Sequence, residues 1–290
     1  MNDYLVKAYA FGGTVRIYSA QTKNLVSHAQ KIHDLWPTSA AAFGRLLTAS
    51  VIMGAMYKDD QELTIRVECD GPIQGMLATT NTYGEVRGYV GNPHVFLQYD
   101  SGKLNVGQAV GNGFIHVTKD VKVRDTFTST SEIRTGEIAE DFAYYFTASE
   151  QIPSAVSLGV KVNEDNSILS AGGFILQIMP GCKEETLQLI EDKIANLPSI
   201  SCLLEENFTP EDIIKAITEG DHEILQEMPL SYACNCNKEK FERGIISIGE
   251  EELKSLIEQD GKIETYCHFC TTTYTFNEDE VIALINENKK

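Results

Sequence analysis

Four cysteines near the C-terminus fall into two tight pairs. One residue separates Cys234 from Cys236, and two residues separate Cys267 from Cys270. Thiolates bind zinc tetrahedrally, and two local pairs brought together by a fold form the usual four-sulfur structural site. The second pair, which has strand-prone residues on both sides, has the spacing of a zinc knuckle on a β-hairpin. The four cysteines are therefore predicted to bind one Zn²⁺.

The first cysteine pair is closer than the usual gap of two to four residues, and 30 residues separate it from Cys267. A disulfide across so short a gap is expected to be strained and easily reduced. Zinc keeps its sulfurs as thiolates, which peroxide or hypochlorite converts to sulfenic acid, and a neighbouring thiol then resolves this acid to a disulfide. A zinc site with this spacing could therefore respond to oxidation, and the spacing alone leaves a purely structural zinc site equally open.

Other interpretations of the cysteines stay open. The four thiols could be unliganded core residues, the ligands of a constitutive structural zinc ribbon that binds a protein partner, or the active site of a thiol–disulfide oxidoreductase. An oxidoreductase of this kind is expected to have its cysteine pair at the start of a helix in a βαβ pattern, whereas Cys267 lies among strand-like residues. His268 is a weaker alternative ligand. Cys69, Cys182 and Cys202 are interpreted as small apolar residues.

The elements that must position the four cysteines divide the chain into three regions, and the predicted fold class is α+β. Residues 1–179 are predicted to form a large β-rich N-terminal domain with a few helices. Residues 180–231 are predicted to form an acidic linker of short helices. Residues 232–290 are predicted to form a small zinc-binding redox-switch domain.

Individual elements follow from periodicity, capping residues and turn residues. The predicted strands are 4–11, 14–18, 63–69, 73–80, 85–90, 113–119, 156–162, 168–179, 263–266 and 272–276. The predicted helices are 22–32, 39–56, 137–150, 184–197, one that begins after Thr209 and ends at Gly220, 239–243, 250–259, and 278–286 with Asn277 as its N-cap.

The C-terminal region has too few apolar residues for a substantial core, so a domain of this size is expected to need a metal ion or disulfide bonds to stabilise its fold. Zinc binding contributes ~10–16 kcal/mol to folding in small zinc modules. Loss of the metal is therefore expected to unfold this region. Helices below ~12–15 residues are marginal in water, so the linker is expected to loosen with it and to expose apolar surface.

Charge and composition disfavour several classes of partner. The net charge is −18, and the sequence from Pro180 onward contains 24 Asp and Glu residues but only 10 Lys and Arg residues. This excess of negative charge disfavours nucleic acid and anionic membranes as partners. The longest uncharged run, 166–182, is interrupted by Gly and Pro and is too short for a membrane span. Asp3 and Lys7 interrupt any secretory signal. With seven cysteines, these features predict a reducing, cytoplasmic location.

Several longer stretches resemble the heat-shock protein 33 family, and the resemblance covers nearly the whole chain. The stretches that carry it are DGPIQGMLATTNTYGEVRGYVGNP, GFIHVTKD, GEIAEDFAYYFTASEQIPSAVSLGV, AGGFILQIMPG, CNCNKEKFERGIISIGEEEL and GKIETYCHFCTTTYTF. The two cysteine motifs in this context are highly specific.

The resemblance implies a redox-regulated, ATP-independent holdase chaperone that binds unfolding proteins under oxidative and heat stress, and not an enzyme. By similarity, Cys234, Cys236, Cys267 and Cys270 bind one Zn²⁺ per chain in the reduced, inactive protein. Oxidation is implied to pair Cys234 with Cys236 and Cys267 with Cys270, to release zinc, and to unfold the switch domain and linker. The active form is implied to be a homodimer.

Overall fold

The chain folds into two compact units in a computed structural model that describes residues 2–120 and 126–287. The first unit spans Met1–Ala233 and the second Cys234–Lys290. The second unit begins at the first of the four paired cysteines, so all four belong to it.

Two sheets form the framework of the first unit. Its strands are β1 (Tyr4–Ala10), β2 (Val15–Gln21), β3 (Glu62–Cys69), β4 (Met76–Asn81), β5 (Glu85–Val90), β6 (Gly113–Asp120), β7 (Thr126–Glu132), β8 (Ser154–Val162), β9 (Ile168–Ile178), β10 (His222–Pro229) and β11 (Ser231–Tyr232). The five-stranded sheet has the order β10-β1-β2-β9-β8, and the six-stranded sheet has the order β11-β5-β4-β3-β6-β7. All pairs are antiparallel except β11 with β5.

The helices of the first unit are α1 (Lys23–His33), α2 (Pro37–Gly54), α3 (Val106–Val110), α4 (Ala139–Ala148), α5 (Glu184–Ala195), α6 (Ile200–Glu205) and α7 (Pro210–Thr218). Helix α2 begins with proline at its first position, as helices favour. Nearly all of its residues are buried, and it packs against strands of both sheets. A Cβ at Gly44 would lie 2.7 Å from a methyl group of Val26, so the small residues of α2 permit a close approach to α1.

Helices α5, α6 and α7 cover one face of the five-stranded sheet. The helices contribute Ile190, Leu203, Ile213, Ile214 and Ile217 to this contact, and the strands contribute Val6, Ala8, Val15, Ile17, Phe174 and Leu176. All eleven side chains are buried. We call this set the covered sheet face. It buries the apolar stripes of helices that are too short to be stable alone.

The second unit contains α8 (Lys238–Ile246), α9 (Glu250–Asp260), β12 (Lys262–Tyr266), β13 (Thr273–Asn277) and α10 (Glu278–Glu287). Asn277 caps α10, because its side chain accepts from the amide of Glu280 at 3.0 Å while the Glu280 carboxylate accepts from the amide of Asn277 at 3.0 Å. The core of the described part of this unit consists of Ile245, Leu253, Ile257, Ile263, Phe276, Val281, Leu284 and Ile285.

The predicted α+β fold class is confirmed, and each predicted helix and strand is found with its ends displaced by three residues or fewer. The prediction of short helices throughout 180–231 was incomplete. This segment also contains β10, which pairs with β1 and lies at the edge of its sheet. Most residues of β10 are exposed, so the strand has no apolar alternation that could have revealed it. Strand β7, with five Ser and Thr residues, was missed for the same reason.

None of the helices within the described residues is both long enough and apolar enough to span a lipid bilayer.

Candidate metal centre

The first cysteine pair lies in the segment that leads into α8. Asn237 is the N-cap of this helix, and its side chain accepts from the amide of Lys240 at 2.9 Å. The Lys240 ammonium donates to the backbone oxygen of Asn235 at 2.6 Å. These bonds fix the backbone on both sides of Cys236, so its sulfur has a defined direction.

The second pair occupies the turn between β12 and β13. The last strand pair before the turn joins Tyr266 to Thr273. Within the turn, the amide of Cys267 donates to the oxygen of Thr272 at 2.9 Å, and the amide of Thr271 donates to the oxygen of Cys267 at 2.8 Å. The hairpin predicted from the sequence is therefore present, and the turn itself carries both cysteines.

The fold brings all four sulfurs together, as the sequence predicted. The sulfurs of Cys234, Cys236, Cys267 and Cys270 all lie within 4.8 Å of one another. The distance from Cys234 to Cys267 is 3.8 Å, and that from Cys236 to Cys270 is 3.2 Å. A tetrahedral site with Zn–S bonds of about 2.3 Å places its sulfurs about 3.8 Å apart. The four thiols therefore fit a single zinc ion in size and in donor chemistry.

Backbone amides point at three of the sulfurs, as is favourable for thiolates. Cys234 Sγ accepts a hydrogen bond from the backbone amide of Cys236. Cys267 Sγ accepts from the amides of Phe269 and Cys270. Cys270 Sγ accepts from the amide of Thr272, and it lies 3.3 Å from the hydroxyl of the same residue. These donors stabilise negative charge on the sulfurs, which a metal-bound thiolate carries.

The thiols of the cluster have pKa values that move in opposite directions. Burial raises the pKa of Cys234 to about 12 and also raises the pKa of Cys267. Burial acts on Cys270 as well, but hydrogen bonds from Thr272 and its cysteine neighbours lower the pKa of this thiol to about 7. Without a cation, Cys234 and Cys267 therefore keep their protons at neutral pH. Because metal binding displaces such protons, the zinc affinity of this donor set should rise with pH.

Tyr274 on β13 is a further member of the site that the sequence analysis missed. Its hydroxyl lies 3.2 Å from Cys236 Sγ, and its ring packs against that of Phe241 with the centroids 5.0 Å apart. The contact with Cys236 raises the pKa of Tyr274 to about 12, so the phenol keeps its proton. A tyrosine four residues after the last cysteine was the available sequence signal.

The alternative ligand His268 and the three remaining cysteines lie outside this cluster. The four-sulfur group does not include His268, whose ring lies edge-on against that of Tyr266 at 5.4 Å. Cys69 and Cys182 are half-buried and pack against apolar residues, as predicted. Cys202, also interpreted as a small apolar residue, is exposed on α6 and does not pack in the interior. The adjacent Leu203 faces the sheet instead.

Sequence comparison assigns the family. The Hsp33 protein family matches residues 3–277, a range that includes all four cysteines. The chain belongs to the Hsp33 family. It is 49% identical over 288 residues to the 33 kDa chaperonin of Bacillus cereus (strain G9842), covering 98% of this chain and 99% of that protein. It is 47% identical over 287 residues to the 33 kDa chaperonin of Bacillus licheniformis, with coverage of 98% and 99%.

A solved member of the family has the same fold. The crystal structure of the 33 kDa chaperonin from Thermotoga maritima matches with a TM-score of 0.93 at 33% identity, covering 100% of this chain and 99% of that chain. The resemblance to the heat-shock protein 33 family is therefore confirmed. Membership of the Hsp33 family supports a chaperone function.

Proposed function

We propose that the chain is an ATP-independent holdase chaperone that oxidation of the four-cysteine centre switches on. The observation that carries this proposal is the cluster of four sulfurs within 4.8 Å of one another in a unit with a small apolar core. Its clients are unfolding proteins, it acts in the cytoplasm under heat and oxidative stress, and its active form is a homodimer. A net charge of −18 disfavours nucleic acid and anionic membranes as partners.

In the reduced state, Cys234, Cys236, Cys267 and Cys270 would hold the metal. Zn²⁺ supplies a cross-link between the segment before α8 and the β12–β13 hairpin, and its binding stabilises the folded unit by ~10–16 kcal/mol in comparable modules. The chain's own contribution is to orient the sulfurs. The turn hydrogen bonds of Cys267 and the cap at Asn237 perform this task.

Oxidation converts the thiolates to disulfides. Two neighbouring thiolates, one hydrogen peroxide molecule and two protons give one disulfide and two water molecules, so that sulfur is oxidised and peroxide oxygen is reduced. Following the family, we assign the bonds to Cys234–Cys236 and Cys267–Cys270. Bonds within each motif leave no covalent link between the two segments, whereas bonds between motifs would retain one. This pairing therefore suits a switch that unfolds its unit.

The linker that precedes the centre covers apolar surface. The chain passes from β10 and β11 through Ala233 into Cys234. We propose that unfolding of the second unit extends through these strands, which pair with β1 and β5, to the helices before them. Helices α5, α6 and α7 hide the covered sheet face, whose strand residues include Val6, Ile17 and Phe174, each 0% exposed. Release of these helices would present that face to unfolding clients, which expose apolar segments of their own.

Zinc content and client protection, measured side by side, test this proposal. The reduced protein should hold one zinc per chain and should not prevent aggregation of a thermally unfolding client. Treatment with hydrogen peroxide at mildly elevated temperature should release the zinc and produce protection. A Cys236→Ser variant should lose zinc, whereas Cys202→Ser, which alters an exposed thiol outside the cluster, should behave as wild type.

Three results would overturn the proposal. Equal protection by the reduced and oxidised proteins would remove the switch. Zinc that is retained after complete thiol oxidation would instead favour a constitutive structural zinc ribbon, and turnover of a dithiol substrate by Cys267 and Cys270 would favour an oxidoreductase.

A further inference from the structure

The phenol of Tyr274 makes a side-chain contact with one metal-centre sulfur. Its oxygen lies 3.2 Å from Cys236 Sγ, within hydrogen-bonding distance for a sulfur acceptor. Backbone amides approach the sulfurs of Cys234, Cys267 and Cys270, and Cys270 also meets the hydroxyl of its near neighbour Thr272, whereas Cys236 meets a tyrosine hydroxyl from the other cysteine segment's hairpin. This sulfur belongs to the unusually tight cysteine pair.

The position of the Tyr274 hydroxyl is fixed by the hairpin and by an aromatic neighbour. Tyr274 pairs with Thr265 across the two strands, and its ring packs against Phe241 of α8 at 5.0 Å with the planes tilted by 34°. The hydroxyl is therefore directed at Cys236 by contacts that do not involve the hydroxyl itself. Loss of the oxygen alone would leave these contacts in place.

A phenol has an ordinary pKa near 10 and is a donor at neutral pH. Hydrogen bonds to an ionised acceptor are stronger than those between neutral groups. A donor that points at a metal-bound thiolate draws electron density from the sulfur, which orients the ligand and makes it a weaker nucleophile. Outer partners of this kind typically change metal affinity by 10- to 100-fold when they are removed.

We propose that Tyr274 is a positioning residue of the redox switch: its hydroxyl donates to Cys236, holds that sulfur in the metal centre and slows its attack on oxidants. This inference rests on the proposed zinc centre. Tyr274 thereby sets how readily the tight cysteine pair leaves the centre. It takes no part in bond making or breaking.

Tyr274→Phe tests the inference, with Tyr266→Phe as its matched control. Tyr266 lies on the other strand of the same hairpin, and its side chain is exposed. For both full-length variants we would measure zinc affinity by competition with a chelator. We would also measure the rate at which Cys236 is alkylated in the reduced, zinc-loaded protein, resolved from Cys234 by peptide fragmentation.

The expected result is a zinc affinity about tenfold lower in Tyr274→Phe, with alkylation of Cys236 several-fold faster and that of Cys267 unchanged. In the cobalt-substituted protein, the sulfur-to-metal charge-transfer band should move to lower energy. Tyr266→Phe should match wild type in all three measurements. A Tyr274→Phe variant with wild-type affinity, alkylation and spectrum would overturn the inference.

A second variant separates hydrogen bonding from a folding defect. A 3-fluorotyrosine in place of Tyr274 keeps the ring and makes the hydroxyl a stronger donor, so the charge-transfer band should move to higher energy. A shift in the same direction as in Tyr274→Phe would indicate a packing defect and overturn the inference. A wild-type protein that binds no zinc would overturn the proposed function itself, and with it this extension.

Discussion

Tyr4 on the first strand donates a hydrogen bond of 2.8 Å to the carboxylate of Glu211, 207 residues later in the chain. Glu211 lies in the first turn of α7, so this bond ties the linker helix to β1 beside the covered sheet face. Burial, together with the adjacent carboxylate, raises the pKa of Tyr4. The phenol therefore stays protonated at neutral pH and donates this bond.

Replacement of Tyr4 by Phe should loosen α7 without opening a cavity. A bond to a charged acceptor contributes about 1.5–3 kcal/mol when buried, and partial exposure of this pair reduces that to about 1 kcal/mol. The backbone amides of α7 should therefore exchange with solvent about fivefold faster. Hydrogen exchange measured by mass spectrometry checks this, with Tyr9→Phe on the same strand as the control. Equal exchange in the two variants would show that the bond does not hold the helix.

The covered sheet face itself can be weakened from the helix side. Ile214 of α7 is 0% exposed, and its truncation to Ala should cost about 2–5 kcal/mol. Because α7 is short, this loss should release the helix and give the reduced protein client protection while zinc is still bound. Aggregation of a heated client, measured together with zinc content, reports both properties. Lys215→Ala alters an exposed position of the same helix and should leave the reduced protein inactive.

If reduced Ile214→Ala does not protect clients better than the reduced wild type, although its α7 amides exchange rapidly, then clients bind elsewhere. Binding of a hydrophobic dye would then identify whether the sheet face had opened at all.

The α7 cap gives a prediction about pH. The backbone amide of Thr209, followed by its hydroxyl, hydrogen-bonds to the carboxylate of Asp212 and lowers the pKa of that carboxyl below its ordinary 3.8. A lowered folded-state pKa adds stability above the unfolded value, and this stability is lost as the pH falls through the folded value. Asp212→Asn should therefore melt below wild type at pH 7, and the difference should shrink once the pH falls below about 3.8.

Calorimetric melts of the wild type and of Asp212→Asn over this pH range make the comparison. A difference in melting temperature that stays constant from pH 7 to pH 3 would assign the effect to the amide side chain and not to the charge.

The sequence predicted the elements whose stabilising interactions are local. Thr209 and Asn277 marked two helix starts through their capping residues, and both caps are formed. The spacing of Cys267 and Cys270 between strand-prone residues identified the hairpin turn. In each case, the residues that determine the structure lie within a few positions of one another, so pattern and spacing were sufficient.

Long-range pairing could not be predicted in this way. Strand β10 is held by backbone hydrogen bonds to β1, more than 200 residues earlier, and its side chains are mostly exposed. No local pattern reports such a partner. The contact between Tyr274 and Cys236 likewise depends on how the hairpin meets the segment before α8. The clustering of the four cysteine sulfurs was predicted from their spacing and chemistry, but the hydroxyl beside them required the folded structure.

The core of the second unit should control the affinity of the metal centre. Phe276 is 0% exposed on β13, and the ammonium of Lys238 lies 4.7 Å from its ring centroid. Truncation of this side chain to Ala should cost about 3–5 kcal/mol of folding free energy. In small zinc modules the binding free energy is also folding free energy. The whole penalty should therefore lower zinc affinity by about two to nearly four orders of magnitude.

Competition against a chelator measures this loss, and Ile282→Ala on α10, where the side chain is 46% exposed, is the matched control. The change in zinc affinity distinguishes a metal centre that forms independently of the core from one that is coupled to it. If Phe276→Ala binds zinc as tightly as the control, the four-sulfur site forms without the core around it, and zinc release alone could not unfold the unit. If affinity falls as expected, core and metal support one another. Loss of either then unfolds both, as an oxidation-driven switch requires.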